Sequence, residues 1–396
     1  MNKRALIILI IGIALAVSAL GIILAVNNLS NKEADAGVEI EVSNAPFNTE
    51  NLHLEEAAIE ASEEEIETII ENEVVLIEAV QTEEIKAPEQ EIIIAQPIQV
   101  VPVMPPPPFK YTIIPESPRP GEPVTIAFEN PVRYADLMVN GNRVARARGF
   151  TVPADDEDPS FNAAVFAVPS TVNPGNAIVR LTGTSGTLWE ILITIAHREF
   201  RSETLNLTPT MSSIVTTPDP QRTIESERLW QILATTGNEV YHTDPFIVPV
   251  TSTRRTSQYG ARRINVYPDG RRTTEIHAGV DIGAPVAGQP FLGANVYACG
   301  RGMVILSRSR IVSGNSIIIE HAPGIYSIYY HLDSVIAEEG EIVETGDLIG
   351  HVGSTGFSTG AHLHWELRVS TENTDPDAFV ARPLIDKNLI ISRLFD

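Results

Sequence analysis

The amino-acid sequence predicts a mainly β protein that follows an N-terminal transmembrane helix. Three observations support this fold class. Residues 109–200 alternate short β-rich runs with turn residues, residues 246–396 are rich in glycine and carry histidines in strand-like runs, and residues 5–26 contain no charge. We divide the 396-residue chain into five parts: an anchor (1–30), a stalk (31–108), a β-sandwich (109–200), a connector (201–245) and a C-terminal β domain (246–396).

The first part of the chain has the features of a membrane anchor. Lys3 and Arg4 precede the uncharged residues 5–26, and about 20 apolar helical residues span the ~30 Å hydrocarbon layer. Because basic residues stay on the cytoplasmic side, the rest of the chain should be exported. A cleaved signal peptide is the alternative, although its apolar region is typically only about 7–15 residues long. We therefore expect a single-pass membrane protein, or a secreted protein after signal cleavage.

Residues 31–108 have the composition of an acidic and proline-rich stalk. Residues 31–100 contain 19 acidic and two basic residues, and they carry most of the formal net charge of −23. This composition favours a disordered arm, while apolar residues at helix-like intervals leave an amphipathic helix open. The negative charge argues against nucleic-acid binding, which requires a basic face. The single cysteine, Cys299, excludes a disulfide framework and a cysteine-ligated zinc finger.

Residues 109–200 have the pattern of an immunoglobulin-like β-sandwich. Strand-like runs recur at short intervals, and Asn140-Gly141 lies between two of them. Asn-Gly accepts the positive φ angles of a type I′ turn, so the sequence predicts a β-hairpin there. No catalytic side chains cluster in this part, and we expect it to act in spacing, binding or shielding. In the connector that follows, residues 224–233 predict a short helix.

The residues that indicate chemistry lie in the C-terminal part. Six of the nine histidines fall there: His277, His321, His331, His351, His362 and His364. His362 and His364 are two apart in a strand-like run, so their side chains share one face. His277 and Asp281 flank Gly279, which suits a strand-end loop that brings both side chains together. Zinc binds imidazole nitrogen and carboxylate oxygen and, in catalytic sites, keeps one position for water. Three such ligands would leave two histidines for proton transfer.

Several runs of this region together resemble one family. They are Ser257-Gln-Tyr-Gly-Ala-Arg262, His277-Ala-Gly-Val-Asp281-Ile-Gly-Ala-Pro285, Tyr330-His331-Leu332 and Gly360-Ala-His362-Leu-His364-Trp-Glu366. In this order they resemble the lysostaphin/LytM family of peptidoglycan metalloendopeptidases, over residues 245–380. The resemblance implies an antiparallel β-sheet peptidase domain of the duplicated hybrid motif type, with a groove.

The resemblance also implies the roles of particular residues. It assigns His277, Asp281 and His364 to one Zn²⁺ ion and makes His331 and His362 catalytic, and all five residues are present. No other cofactor is implied. The chain departs from the family at Ala361, where proline is usual. It also has an insertion at residues 264–274, which we expect to reshape one wall of the groove.

The predicted function is therefore that of a zinc metalloendopeptidase that hydrolyses peptide cross-links or stem peptides of peptidoglycan. One alternative is a non-catalytic envelope protein that binds cell wall or regulates another wall hydrolase, and another is a zinc peptidase that acts on a protein outside the wall. The complete residue set favours catalysis. The expected partners are peptidoglycan, the membrane through residues 5–26, and envelope proteins through the sandwich or the stalk. The catalytic domain is expected on the periplasmic or cell-wall side.

The predicted mechanism uses histidine as the base. Zinc would lower the pKa of a bound water and polarise the scissile carbonyl. The sequence has no His-Glu-x-x-His motif, so no helix-borne glutamate base is available. One of His331 and His362 would accept the water proton and the other would stabilise the oxyanion, with the assignment open. Glu366 either orients an imidazole or forms a surface salt bridge, and His321 either lines the groove or is structural. The six arginines between positions 254 and 272 are expected to form a solvated face, with binding to anionic wall as the alternative.

Overall fold

The computed structural model describes residues 109–156 and 158–395. The predicted anchor and stalk lie outside the described residues. No helix in the described part of the chain combines the length and the hydrophobicity that a membrane span requires.

The first described part is a β-sandwich. Its strands are β1 (Tyr111–Ile114), β2 (Pro123–Phe128), β3 (Val132–Val139), β4 (Asn142–Arg148), β5 (Phe150–Val152), β6 (Phe161–Ala167), β7 (Gly175–Gly183) and β8 (Leu188–Ile195). They form two antiparallel sheets with the strand orders β1-β2-β6-β5 and β4-β3-β7-β8. The predicted hairpin is confirmed, because Asn140 and Gly141 join β3 to β4 with positive φ angles. Ile126, Phe166 and Leu181 lie in the apolar core between the sheets.

One sheet of the sandwich is also buried on its outer face. Ala163 and Val165 of β6 belong to the large hydrophobic cluster that contains Phe379 and Leu384 from the end of the chain. Thr125 Oγ1 donates a hydrogen bond of 2.9 Å to the carbonyl of Leu384. β6 is therefore covered on both faces, which explains why it reads as a nearly continuous small and apolar run. The sandwich and the C-terminal part share one core.

The connector forms regular structure of its own, namely β9 (Ser202–Asn206), α1 (Pro209–Thr216) and α2 (Pro220–Ala234). The predicted helix exists but begins earlier, at Pro220. Asp219 caps it by accepting a hydrogen bond from the backbone N–H of Gln221, and proline suits the first helical position, where no N–H is needed. The prediction depended on the apolar residues of α2, and the first turn of the helix contains none of them except Pro220, so they do not mark where it begins.

The C-terminal part is built mainly from antiparallel strands, as predicted. Its elements are β10 (Arg255–Ser257), β11 (Arg262–Val266), β12 (Arg272–Ile276), β13 (Val280–Ile282), β14 (Asn295–Tyr297), β15 (Gly302–Arg310), β16 (Gly314–Ala322), β17 (Ile325–Leu332), β18 (Ser334–Val335), β19 (Ile342–Val343), β20 (Leu348–His351), β21 (Leu363–Val369), β22 (Glu372–Thr374), α3 (Pro376–Ala381) and α4 (Lys387–Phe395). The main sheet has the order β10-β13-β21-β17-β16-β15-β19, with β22 beside β21. A small sheet has the order β14-β20-β18, and the β11–β12 hairpin takes up β9 of the connector as a parallel third strand.

The centre of the main sheet is buried on both faces. On one face Ile328 of β17 packs against Leu233 of α2. On the other face Tyr329 and Trp365 lie in the large hydrophobic cluster. Every residue of β17 is buried, which explains its nearly continuous apolar sequence. The connector helix α2 is therefore part of the core of the C-terminal part, and it holds the strands that carry the predicted site.

Candidate active site

The pairing of three strands brings the predicted site residues to one face of the main sheet. β13 pairs with β21 so that Asp281 lies directly opposite His364. β17 pairs with the other side of β21 and carries His331 near its end. His277 and His362 lie just before β13 and β21, respectively. All five residues that the resemblance implied are therefore neighbours in space.

His277, Asp281 and His364 form a compact and buried group. The distance from His277 Nε2 to His364 Nδ1 is 3.0 Å, and these two nitrogens lie 3.1 and 2.7 Å from Asp281 Oδ1. The three donor atoms lie within 4.8 Å of one another, so a single cation could contact all of them. Two imidazole nitrogens and one carboxylate oxygen are the donor set that zinc prefers, and they leave a position for water.

The outer nitrogens of these two histidines have partners that fix the ring tautomers. His277 Nδ1 lies 2.9 Å from the carbonyl oxygen of Gln258, to which it donates its proton. His364 Nε2 donates to Glu366 Oε1 over 2.9 Å. Because the outer nitrogens keep their protons on these acceptors, His277 Nε2 and His364 Nδ1 are the nitrogens that a metal would take, in place of their hydrogen bonds to Asp281. The residues present therefore fit a zinc ion in both donor type and tautomer.

Glu366 is a buried partner of the cluster. Its second carboxylate oxygen accepts a hydrogen bond of 2.8 Å from Arg368 Nε. Burial by itself raises the pKa of Glu366. Arg368 and His364 outweigh this effect and lower the pKa to about 2. Burial lowers the pKa of His364, but Asp281 and Glu366 raise it to about 9. Of the two alternatives for Glu366, the structure shows the one in which it orients an imidazole, because the carboxylate is only 3% exposed.

Arg263 is a second, partly buried partner, and the sequence prediction missed it. Its Nη2 atom lies 2.6 Å from Asp281 Oδ2, the oxygen that faces away from the histidines. The same nitrogen lies 3.0 Å from Ser257 Oγ, which donates to Glu203 Oε2. Burial raises the pKa of Asp281, but hydrogen bonds from His277 and His364 bring it well below its usual value. Arg263 thus leaves Oδ1 as the oxygen of Asp281 that faces the cluster.

His331 and His362 lie beside this group, with their ring centroids 5.0 Å apart. His331 Nδ1 donates to the carbonyl of Thr355 over 2.8 Å, and His362 Nδ1 donates to the carbonyl of Gly360 over 2.8 Å. Burial lowers the pKa of His331 to about 3 and also lowers the pKa of His362. Both rings are therefore neutral near pH 7, with an unprotonated Nε2 available as a proton acceptor.

The backbone at two positions is adapted to the site. His331 has a φ angle of 62°, a left-handed conformation that is uncommon outside glycine and is concentrated at functional sites. Gly279 lies between His277 and Asp281, and a Cβ atom there would approach the carbonyl oxygen of Trp365 to 2.2 Å. Only glycine lets the loop lie this close to β21, so the spacing of the two ligand-type residues depends on it.

Comparison with known proteins identifies the domain. Residues 275–376 match the model of Peptidase family M23. This part of the chain is an M23 peptidase domain. The chain is 35% identical over 130 residues to the DD-carboxypeptidase/endopeptidase Mpg of Neisseria meningitidis, and 38% identical over 113 residues to the peptidoglycan DD-endopeptidase ShyB of Vibrio cholerae. These matches cover 33% and 28% of this chain. The chain spans only 28% and 25% of the length of these two relatives.

A solved structure is also similar to the M23 domain. The antimicrobial peptidase lysostaphin from Staphylococcus simulans is 27% identical, with a TM-score of 0.26, and the match covers 32% of this chain and 49% of that one.

The histidines of the M23 domain face a groove whose walls come partly from outside the matched residues. A cavity of about 180 Å³ beside His331, His362 and His364 is lined on one side by Glu203 and Met211 of the connector. A second cavity of about 380 Å³ adjoins it and is lined by the β11–β12 hairpin and by Val215 of α1. The hairpin includes most of the predicted insertion, and it does form one groove wall.

Two conspicuous residues of the M23 domain lie away from the site. His321 is fully buried, with its ring nitrogens 2.8 Å from the carbonyl of Arg301 and 2.7 Å from Ser327 Oγ. Burial lowers its pKa to about 3. Cys299 is also fully buried, and burial raises its pKa to about 11. Of the two alternatives for His321, the structural one is therefore correct, and Cys299 is a buried apolar residue as predicted.

Proposed function

We propose that the M23 domain is a zinc metalloendopeptidase that hydrolyses peptide bonds in the cross-links or stem peptides of peptidoglycan. The observation that carries this proposal is the combination of a converging His-Asp-His cluster with two neutral histidines at its edge. Two relatives that are 38% and 35% identical to this chain over 113 and 122 aligned residues are named peptidoglycan DD-endopeptidases, which supports the substrate class.

The proposed zinc ligands are His277 Nε2, Asp281 Oδ1 and His364 Nδ1. Their mutual distances of 2.7–3.1 Å and their tautomers support this assignment. When bound, zinc supplies Lewis acidity, which makes a water molecule a better nucleophile and polarises the scissile carbonyl. The remaining steps belong to side chains of this chain.

His331 and His362 are the proposed catalytic residues. Because Thr355 and Gly360 hold their Nδ1 protons, both Nε2 atoms begin as acceptors. One of them takes the proton of the attacking water, becomes an imidazolium and can then donate this proton to the departing amine. The other ring lies beside the same reacting centre and stabilises the charge that develops on the carbonyl oxygen only when its own Nε2 carries a proton, that is, in its imidazolium form. Their burial keeps bulk water from competing for these protons.

A direct test uses purified peptidoglycan and the full-length protein in detergent. The wild-type protein should bind about one zinc per chain and release new amino groups, and mass spectrometry of the fragments should identify the bond. His331→Ala should abolish release. His197→Ala is the matched control, since His197 is an exposed histidine of the sandwich. A zinc-loaded protein that releases no amino groups would support a non-catalytic role in the envelope instead.

We further propose that residues 109–200 form an immunoglobulin-like domain. In the immunoglobulin fold the first, second, fifth and fourth strands form one sheet, while the third, sixth and seventh form the other. Counting β4 as an added strand of the second sheet, the orders β1-β2-β6-β5 and β4-β3-β7-β8 follow this topology. The proposed roles of residues 5–26 as an anchor and 31–108 as a stalk depend on the sequence alone, as does an envelope location. Membrane fractionation with and without residues 1–30 tests the anchor.

A further inference from the structure

The groove of the M23 domain continues beyond the catalytic histidines into a third cavity. This cavity has a volume of about 580 Å³ and lies between α2 of the connector and the main sheet. It shares Tyr330 and Glu366 with the second cavity, and the second cavity shares His331 and His364 with the first. The three cavities therefore adjoin one another in a row that passes the histidines and ends beneath α2.

Three arginines line this third cavity, and only one of them is neutralised. Arg368 pairs with Glu366. Arg310 donates to Tyr330 Oη over 3.3 Å and to the backbone carbonyl of Glu225 over 3.1 Å, and Arg222 donates to the carbonyl of Ile214 over 2.9 Å. Within residues 109–156 and 158–395, neither Arg310 nor Arg222 forms an ion pair with a carboxylate. Both guanidinium groups keep further N–H donors for a ligand.

Within the described residues, the three glutamates that line the same cavity form no ion pair with Arg222 or Arg310. Glu225 accepts a hydrogen bond of 2.8 Å from the backbone N–H of Ile311, and Gln221 donates to its other oxygen. Its carboxylate therefore holds α2 against the sheet. Glu366 is shared between Arg368 and His364, and Glu227 is exposed on the helix surface. The cavity thus has two guanidinium groups that no carboxylate of its lining engages directly and whose remaining N–H groups can bind a carboxylate of a ligand.

We propose that this cavity is a subsite for a carboxylate group of the substrate peptide, recognised by Arg222 and Arg310. The assignment rests on the proposed peptidase function, which brings a peptide into the groove. Guanidinium groups bind carboxylates through paired, charge-assisted hydrogen bonds. The Tyr330 ring centroid lies 5.6 Å from that of His364 and 5.8 Å from Arg310 Cζ. A peptide would therefore need about three extended residues, at ~3.3 Å each, to reach from the histidines to Arg310. The subsite would therefore select peptides with a free carboxylate near the scissile bond.

The test compares a substrate with and without its carboxylates. The probe is a cross-linked peptide dimer released from purified peptidoglycan, used as isolated and after carbodiimide coupling to ammonia. With zinc-loaded full-length protein in detergent, amidation should raise KM about tenfold and affect kcat less. Dissociation constants for both dimers, measured by calorimetry on His331→Ala protein, should show the same ratio without turnover.

Variants then assign this discrimination to the arginines. Arg310→Gln and Arg222→Gln should each reduce the ratio of the two dissociation constants to threefold or less, and the double variant should remove it. Arg308→Gln is the matched control, because Arg308 lies two residues away on the same strand and pairs with Glu339 at the surface. If Arg310→Gln strongly lowers the unfolding temperature, the Arg222→Gln variant alone is used to test the subsite. Equal binding of both dimers by the wild type, or discrimination that survives in the double variant, would overturn the subsite.

The two proposals fail in different ways. If the dimer binds with the expected charge discrimination but is not cleaved, the subsite stands and the peptidase function is wrong. If the dimer is cleaved with no preference for the free carboxylate, the peptidase function stands and the subsite is wrong.

Discussion

Replacing Glu366 with glutamine should weaken zinc binding while the metal ligands themselves remain. Glu366 accepts the Nε2 proton of His364 over 2.9 Å and is neutralised on its other side by Arg368. Its charge strengthens the donor nitrogen of His364 and adds a negative charge close to the proposed metal. The glutamine amide can still accept the His364 proton, but it carries no charge, and its NH₂ group faces the N–H of Arg368.

The size of the effect follows from these contacts. At an effective dielectric constant of about 20, a unit charge ~6 Å from a divalent cation contributes about 5 kcal/mol. Arg368 lies on the far side of the carboxylate and offsets most of this. Loss of such an outer partner typically lowers metal affinity about 10–100-fold, which is about 1.4–2.7 kcal/mol. We expect the dissociation constant for zinc to rise by this factor.

The assay is competition for zinc with a fluorescent chelator at fixed pH. Glu190→Gln is the matched control, since Glu190 forms an exposed pair of 2.8 Å with Arg180 in the sandwich and lies outside the M23 domain. Arg368→Met distinguishes the effect of the Glu366 charge on zinc binding from the effect of a weakened fold. This variant also breaks the buried pair, and so should destabilise the fold by about 3 kcal/mol, but it leaves Glu366 charged beside His364. Its zinc affinity should equal or exceed that of the wild type.

Two results would refute this reasoning. The first is zinc affinity within twofold of the wild type in Glu366→Gln, which would mean that the carboxylate has no influence on the metal. The second is an equal loss of affinity in Arg368→Met, which would mean that general loosening of the strand, and not the charge of Glu366, causes the effect.

Three further predictions concern the same domain. Asp281→Ala should lose zinc, whereas His331→Ala should keep zinc and lose turnover. Metal analysis of both proteins checks this, and zinc lost from His331→Ala but kept by Asp281→Ala would mean that the two roles are reversed. Arg263→Gln should lower the free energy of unfolding of the metal-free protein by about 3 kcal/mol, because Oδ2 of the buried Asp281 carboxylate loses its guanidinium partner. The loss should be smaller when zinc is bound, and urea unfolding with and without zinc measures both values. The His321 ring has a pKa of about 3 in the folded protein and about 6.5 in the unfolded chain. As the pH falls, the unfolded chain therefore binds this proton first. The free energy of unfolding should decrease from about pH 6.5 toward pH 3, by at most ~1.4 kcal/mol per pH unit. His321→Asn should reduce this slope between about pH 4 and 6, and an unchanged slope would contradict a neutral buried ring.

The sequence was most informative where the chemistry depends on local spacing. His362 and His364 share a strand face because side chains alternate along a strand, and this holds whatever the strand pairs with. The spacing of His277 and Asp281 depends on Gly279, which also lies within the motif. The hairpin at Asn140 depends on two adjacent residues. Each of these predictions required only the backbone rules of a few consecutive positions.

Contacts between distant segments could not be read in the same way. Arg263 lies among arginines that were expected to be solvated, and its ion pair with Asp281 exists only because β11 lies beside the loop before β13. Nothing in the local sequence distinguishes it from the exposed Arg272 of the same hairpin. Glu203 reaches the site only because β9 pairs in parallel with β11, and this pairing is not encoded by the periodicity of either strand.

The connector illustrates why the limit of the family match is not the limit of the site. The match begins at residue 275, yet Glu203 and Met211 line the cavity beside the proposed catalytic histidines, and α2 covers the face of β17 that carries Ile328. Exposing an apolar strand face of this kind to water would cost free energy, so α2 is required to stabilise the fold, independently of any contact with substrate. Once α2 is fixed there for packing, its polar side chains necessarily form a groove wall. Residues outside the matched segment therefore shape the approach to the proposed site, and in this chain those residues belong to a segment whose sequence predicts only a connector with one short helix.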